Sequence, residues 1–198
     1  FERNGVPAGR IDWQPYGIDA SALAARPGPA ARPLTFGFLG TFGPDKSPHT
    51  LVDAIATVRG DCRAVLRGRT SDFADYSRDL LAKAARDPRV AVLPPYERSQ
   101  LAAVLAAIDV LVVPSTWHEN APFVVLEARA AGLPVLASRF DGLAEVVADG
   151  LDGELFTPGD VDDLAMLAPR AAPFAVGLAA RDDPRADRVA GTPPRCQP

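Results

Sequence analysis

Short apolar runs alternate with longer amphipathic stretches along most of this chain. The apolar runs are rich in β-branched and aromatic residues and are bounded by Gly or Pro, which is typical of β-strands. They predict strands at Leu34–Leu39, Cys62–Leu66, Val90–Leu93, Val110–Val113, Val135–Ala137 and Glu154–Phe156. The stretches between them predict helices at Pro48–Val58, Asp72–Arg86, Arg98–Ala107, Pro122–Ala131, Leu143–Ala148 and Val161–Leu167. Alternation of this kind indicates crossover units, and therefore an α/β fold with a parallel sheet of about six strands covered by helices on both faces.

Polar residues at the helix starts refine this prediction. Ser47 and Ser71 each precede a predicted helix, so each serine is predicted to be its N-cap. Asn120 is predicted to cap the fourth helix, whose first turn accommodates Pro122 because the N–H that proline lacks would have no intrahelical partner. In the third helix, spacings of three and four predict one buried apolar stripe formed by Leu101, Val104, Leu105 and Ile108.

Candidate chemistry concentrates in the segments that follow the predicted strands. In open parallel sheets, ligands bind beyond the carboxyl ends of the strands, near the point where the strand order reverses. The segments in question are Gly40–Lys46, Arg67–Ser71, Pro94–Glu97, Ser115–Ala121, Ser138–Gly142 and Thr157–Asp160. We therefore expect a ligand site at this edge of the sheet.

Two carboxylates bracket the start of the fourth predicted helix. Glu119 lies in the loop before the helix, and Glu127 lies about two turns into it, eight residues later. The free N–H groups and the positive dipole end of such a helix form an anion site. A ligand with a phosphate near the helix tip and hydroxyls on either side could meet both carboxylates, and a nucleotide sugar has that layout.

The segment His118–Val135 resembles the Glu-x7-Glu signature of the retaining glycosyltransferases called group 1 or family 4, which have the GT-B fold. The resemblance covers most of residues 5–165. Three further segments are similar to family motifs: Ala107–Ser115, Asp141–Val147, with Asp141 in place of the first of two glycines, and Gly150–Gly159. An ordered series of this kind is far more specific than a pair of glutamates alone.

The resemblance implies the C-terminal, donor-binding half of a GT-B enzyme, with a Rossmann-like sheet. Residues 1–33 would be an interdomain linker and lead-in segment, residues 34–167 the nucleotide-sugar-binding domain, and residues 168–198 an irregular tail rich in Pro, Ala and Arg. The N-terminal acceptor domain would be missing, so this chain alone is expected to be inactive. The expected partners are a nucleotide sugar donor and that missing domain, and peripheral membrane association is expected only through the missing half.

The family resemblance assigns the phosphate end of the donor to the loop after the first strand. Gly40 lets the backbone approach a phosphate, and Lys46 supplies a cation for the charge on the departing diphosphate. The family usually has Arg directly after the glycine, where this chain has Thr41. Compensating cations could come from Arg67, Arg69 or Arg139; the alternative for each is a solvated surface charge.

The remaining roles implied by the resemblance concern the nucleoside and the sugar. Glu127 would accept hydrogen bonds from the ribose hydroxyls, and Glu119 would hold hydroxyls of the transferred sugar; with Lys46, Glu119 is a predicted catalytic residue. Tyr96 would lie beside the base, or simply be a packing residue. Glu145 is either a ligand residue or an acid in the first turn of the fifth helix. The backbone segment expected near the sugar is that of Asn120, Ala121, Pro122 and Phe123.

Composition narrows the class of protein further. A chain of 198 residues that is 47% hydrophobic and 23% charged is globular, and a net charge of −4 argues against a nucleic-acid partner.

No apolar run approaches a membrane span, and no signal peptide is visible. Cys62 and Cys196 predict free thiols in a reducing compartment. We expect a cytoplasmic location, or the cytoplasmic face of the membrane for the full-length enzyme. His49 and His118 lack metal-ligand spacing, and no Asp-x-Asp metal motif appears in a suitable place. Both observations agree with the metal-independent chemistry that the GT-B resemblance implies, so no metal or other cofactor is expected.

Two other functions stay open from the sequence. A GT-B nucleotide-sugar epimerase would share the sheet and the nucleotide pocket, although the Glu-x7-Glu spacing favours the transferase. A non-catalytic nucleotide-binding module is the second alternative, and Thr41 in place of the usual arginine gives it some support.

Overall fold

A single parallel sheet forms the centre of the computed structural model, which describes residues 4–10, 17–23, 33–120 and 122–171. Six strands lie in the order β3-β2-β1-β4-β5-β6. They are β1 Leu34–Leu39, β2 Cys62–Arg67, β3 Val90–Leu93, β4 Val110–Val113, β5 Val135–Ser138 and β6 Gly153–Phe156. All adjacent strands pair in parallel, so the predicted Rossmann-like sheet is confirmed.

Helices follow the strands in strict alternation. They are α1 Pro48–Thr57, α2 Ala74–Ala84, α3 Leu101–Ala106, α4 Phe123–Ala130, α5 Asp141–Val146 and α6 Val161–Leu167. Short 3-10 turns lie at Ala8–Arg10, Arg98–Gln100 and Ala168–Arg170. None of the helices in the described ranges is long and apolar enough to cross a bilayer.

Two hydrophobic clusters cover the two faces of the sheet. Along β4, Val110 and Val112 belong to the cluster that includes α1, α2 and α6, whereas Leu111 and Val113 belong to the cluster that includes α3, α4 and α5. This division follows from the two-residue period of a strand, and a strand covered on both faces is apolar throughout. The predicted stripe of the third helix is confirmed, because all four of its residues are buried: Leu101, Val104, Leu105 and Ile108.

None of the predicted capping bonds is formed in the described structure. Ser47 does occupy the N-cap position of α1, as predicted, but its backbone lies in the left-handed region at φ 48° instead of the usual extended one. Its hydroxyl makes no capping bond and donates to the carbonyl of Pro44 at 2.6 Å. Ser71 donates to the Asp72 side chain, and α2 begins only at Ala74. Nor is Asn120 the cap of α4: that position belongs to Pro122, which makes no side-chain capping bond.

Packing continues beyond the predicted end of the domain at Leu167. Ala168 and Ala171 are buried in the cluster that contains α1. At the other end, Leu23 of the predicted linker packs against the opposite cluster. Most of the predicted tail, residues 172–198 with Cys196, lies outside the described residues, so the three-part division of the chain stays a prediction.

Candidate functional site

The loops after β1 and β4 meet at the point where the strand order reverses. The strands numbered two and three lie on one side of β1, and β4 begins the run on its other side. The amide of Thr116 donates to the carbonyl of Asp45 at 2.8 Å, and the hydroxyls of Thr116 and Ser47 are 3.0 Å apart. These bonds join the two loops at the place where parallel sheets form their ligand crevice.

The two residues predicted to be catalytic contact each other in this crevice. Nζ of Lys46 donates to Oε1 of Glu119 at 2.6 Å, and the hydroxyl of Ser115 donates to the same oxygen at 2.6 Å. The Glu119 side chain is 12% exposed and that of Lys46 is 34% exposed. The carboxylate is therefore held in place by two donors before any ligand arrives.

Glu127 is paired with Arg98, an arginine that no sequence motif assigns to the site. Nη1 of Arg98 donates to Oε1 of Glu127, whose side chain is only 7% exposed, against 64% for Arg98. Because α4 begins at Phe123, Glu127 lies about one helical turn into it, not two as predicted. A glutamate side chain this buried does not simply face water.

Arg98 is positioned by a local capping motif. Glu97 and Gln100 form a capping box around the 3-10 turn that begins at Arg98, and the Glu97 amide donates to Oε1 of Gln100 at 2.9 Å. The hydrogen bond with Glu127 raises the pKa of the Arg98 guanidinium. The only sequence signal for this role was that Arg98 directly follows a strand-end segment.

Tyr96 lies close to the same carboxylate. It is half-buried and packs against the cluster that contains α3. Burial raises the pKa of its phenol, and the negative charge of Glu127 raises it further. The description of Tyr96 as a packing residue is confirmed, and stacking on a nucleotide base stays a prediction.

The glycine-rich loop after β1 is bonded to the segment after β2. The amides of Gly40 and Phe42 donate to the carbonyls of Arg67 and Arg69, at 3.0 and 2.9 Å. A Cβ at Gly68 would lie 1.6 Å from the Gly40 carbonyl oxygen, so this approach requires glycine. Since these two loop amides are used inside the protein, we expect side chains to supply much of the attraction for a phosphate.

The first turn of α5 packs against the backbone of Glu119. A Cβ at Gly142 would lie 1.7 Å from the carbonyl oxygen of Glu119 and 3.1 Å from that of Asn120. Gly142 is the second glycine of the family motif in the segment Asp141–Val147, where Asp141 stands in place of the first. The close approach to the Glu119 carbonyl requires glycine at position 142. Glu145 is exposed and lies in the last turn of α5, so its description as a first-turn acid is wrong, because the helix begins two residues earlier than predicted.

The segment between the two glutamates presents aromatic side chains to solvent. Trp117 is 64% exposed and Phe123, the first residue of α4, is 51% exposed. Asn120 is exposed and Pro122 is half-buried, whereas Ala121 lies outside the described residues.

Neither histidine belongs to a metal site in the ranges that the structure describes, where no group of three or more His, Cys, Asp or Glu side chains could hold an ion. Nδ1 of His49 lies 2.7 Å from the hydroxyl of Tyr76, between α1 and α2. Burial lowers the pKa of His49 and raises that of Tyr76 to about 12. The ring of His118 contacts that of Phe140 edge-on, with ring centres 4.8 Å apart.

Comparison with known proteins identifies the family. The family described as glycosyl transferases group 1 matches residues 33–169. The D-inositol 3-phosphate glycosyltransferase of Mycobacterium marinum is 34% identical over 170 residues, which cover 79% of this chain and 36% of that protein. The corresponding protein of Stackebrandtia nassauensis is 36% identical over 194 residues, covering 85% of this chain and 44% of that protein. The chain therefore spans less than half the length of these relatives.

Solved structures agree with this relationship. Anabaena Alr3699/HepE, crystallised with UDP and glucose, superposes with a TM-score of 0.80 at 25% identity, over 95% of this chain and 55% of that one. The C-terminal domain of the group 1 protein LpcC from Francisella tularensis shares the fold, with a TM-score of 0.66 at 21% identity over 88% of this chain and 97% of that domain. The chain thus belongs to the group 1 glycosyltransferases and has the fold of the C-terminal half of their GT-B enzymes.

Proposed function

We propose that this chain is the donor-binding domain of a retaining glycosyltransferase that moves a sugar from a nucleotide diphosphate sugar to an acceptor. The acceptor would be held mainly by a preceding domain, and the anomeric configuration would be kept. The observation that carries the proposal is the pair of carboxylates at the strand-order reversal, each with a basic partner: Glu119 with Lys46, and Glu127 with Arg98.

The two carboxylates suit two different parts of one donor. Glu127 retains a second oxygen for the 2′- and 3′-hydroxyls of a ribose, because Arg98 bonds only Oε1. Glu119 is fixed by Ser115 and Lys46, so it can accept hydrogen bonds from sugar hydroxyls without first being ordered. Such preorganised, charge-assisted bonds contribute roughly 1.5–3 kcal/mol each.

Lys46 has a second role in this proposal. When the bond between the anomeric carbon and the diphosphate oxygen breaks, the electron pair stays on that oxygen and the leaving group gains charge. A fixed cation beside the diphosphate stabilises this charge more in the transition state than in the bound donor. Catalysis by the whole enzyme would then rest on positioning and leaving-group stabilisation.

A uridine diphosphate sugar is the proposed donor class. The support is the similarity to Alr3699/HepE, whose crystal structures contain UDP with glucose, or UDP-glucose. The family match favours sugar transfer over epimerisation, since the matching family is one of glycosyl transferases. The cytoplasmic location expected from the sequence stays a prediction.

The decisive experiment compares UDP with 2′-deoxyuridine diphosphate by calorimetry. The wild-type chain should prefer UDP, and Glu127→Gln should weaken UDP binding by about tenfold or more while removing this preference, because the ribose hydroxyls lose their charged acceptor.

Glu154→Gln is the matched control. Glu154 is another buried glutamate with an exposed arginine partner, 10% exposed against 67% for Arg170, but it lies on the edge strand β6. Glu154→Gln should leave the affinities for UDP and for 2′-deoxyuridine diphosphate unchanged. Equal UDP binding by the wild type and Glu127→Gln would show that the ribose assignment is wrong.

A further inference from the structure

A second cation reaches the phosphate loop from a neighbouring segment. Nη2 of Arg69 donates to Oγ1 of Thr41 at 3.3 Å, and the same nitrogen lies 3.1 Å from Oδ2 of Asp72. We infer that Arg69 is a diphosphate-binding residue of this chain. From the loop after β2, it supplies the charge that the family pattern leads us to expect directly after Gly40, where this chain has Thr41. This inference rests on the proposed function.

The backbone explains how Arg69 comes to lie beside Thr41. Strands β1 and β2 are paired in register up to Leu39 and Arg67, and the pairing continues past their ends. The Phe42 amide donates to the Arg69 carbonyl at 2.9 Å, which sets residue 69 alongside the first residues of the loop. Gly68 permits the close approach of the two segments, because it has no Cβ to meet the Gly40 carbonyl oxygen. The next residue, Arg69, therefore adds a basic side chain to the loop after β1.

The other two candidate arginines are placed differently. Arg139 lies after β5, two strands from β1, and its Nη2 is bonded at 2.9 Å to both Asp149 and the Leu155 carbonyl. Arg67 ends β2 as a half-buried side chain whose charge acts on the phenol of Tyr96. Arg69 alone among these three donates to Thr41 in the described structure.

The geometry also leaves Arg69 able to bind an anion. Its side chain is 63% exposed, and both contacts use Nη2, whereas a guanidinium has further N–H donors on Nε and Nη1. The salt bridge with Asp72 helps to hold the Arg69 side chain beside the loop after β1. A guanidinium oriented in this way suits the paired oxygens of a phosphate better than an ammonium group does.

The test measures binding of UDP and uridine to the 198-residue chain by calorimetry. Arg69→Gln should weaken UDP binding by about tenfold and uridine by less than about twofold, because the lost interaction is with phosphate. Adding salt should reduce the difference between the wild type and the variant for UDP. Arg69→Lys, which keeps the charge but not the fork, should give an intermediate affinity.

Arg78→Gln is the matched control, because Arg78 also pairs with an aspartate three residues away and is similarly exposed, at 71%, but lies on α2. It should bind both ligands as the wild type does. Adding Thr41→Arg to Arg69→Gln should restore UDP binding, because it returns the cation to the same place.

The outcomes separate this inference from the proposed function. UDP binding by Arg69→Gln that equals the wild type, while Glu127→Gln is weakened, would overturn the inference and leave the proposed function standing. Failure of the wild-type chain to bind UDP, GDP or ADP would overturn both.

Discussion

At the scale of single residues, the site neutralises its own charges. Each glutamate of the signature contacts a basic side chain, and a third basic side chain, that of Arg69, is paired with Asp72. A donor therefore has to exchange partners with these groups. Its diphosphate would compete with Glu119 for Lys46, and its ribose would share Glu127 with Arg98.

Replacing Lys46 by Ala should weaken UDP binding by roughly tenfold and leave uridine binding nearly unchanged. The physical reason is that the proposed partner of Nζ is the phosphate charge, and that Glu119, left without its ion pair, repels an anion. Calorimetry with both ligands at two salt concentrations would measure this, and the loss should be smaller at high salt.

Lys83→Ala is the control for this change, since Lys83 is the chain's only other lysine and is also paired with a carboxylate, that of Asp53. Lys83 lies on α2, so Lys83→Ala should change the affinity for neither UDP nor uridine. Equal losses of UDP and uridine in Lys46→Ala would remove Lys46 from the phosphate site.

Sequence motifs predict which residues belong to this site better than they predict how these residues are paired. That Glu119, Lys46 and Glu127 lie at one edge of the sheet was predictable, because each is close in the sequence to a strand end or a helix start. The role of Arg98 was not, because Arg98 lies 29 residues before Glu127 and only the sheet brings the two together. From the sequence, Arg69 was one of three arginines that could supply the missing cation. Its contact with Thr41 depends on backbone hydrogen bonds beyond the ends of β1 and β2, which the sequence does not reveal.

At the scale of elements, the strands were easier to predict than the helix ends. Strands β1, β3 and β4 have the predicted bounds, because a buried strand is apolar from end to end. Helix starts depend on which of several competing hydrogen bonds a polar side chain makes. Ser47 could serve its helix or its preceding turn, and the turn and the contact with Thr116 prevail.

The contact between α1 and α2 should make stability depend on pH. Desolvation is the main reason why the pKa of His49 lies below its ordinary value of 6.5; nearby Lys83 lowers it further and Asp53 partly opposes this. The unfolded chain therefore binds a proton at His49 more readily than the folded chain does. The free energy of unfolding should fall as the pH drops below about 6.5, and this contribution is fully present only above that pH.

Urea unfolding of the wild type and His49→Gln at several pH values between about 5 and 8 would measure this contribution. The variant should lose less stability on acidification. His118 is present in both proteins, so it does not account for a difference between them. The same loss in both proteins would show that His49 does not cause the pH dependence.

At the scale of the whole molecule, we expect this chain alone to bind nucleotide sugars but to transfer sugar at a negligible rate. It spans less than half the length of its curated relatives, and the loops that carry Lys46 and Glu119 would form only one wall of a cleft between domains. Without a second wall, water reaches the donor and the acceptor is not positioned, so desolvation and proximity are both lost.

Calorimetry with UDP-glucose, combined with an assay for released UDP, would test this expectation, with a full-length relative assayed in parallel. Acceptor-dependent transfer by this chain at the rate of the full-length relative would contradict it. Slow release of UDP that does not depend on acceptor would agree with an open, hydrated site.

The contact between Gly142 and the Glu119 carbonyl links the evolution of the first turn of α5 to that of the loop before α4. A methyl group at position 142 would need the carbonyl 1.7 Å away to move, and the Glu119 carboxylate would be displaced with its backbone. Selection for the carboxylate's position therefore also acts on a residue that need touch no substrate. In a library of random variants, position 142 should accept a side chain only when the loop before α4 has changed its path as well.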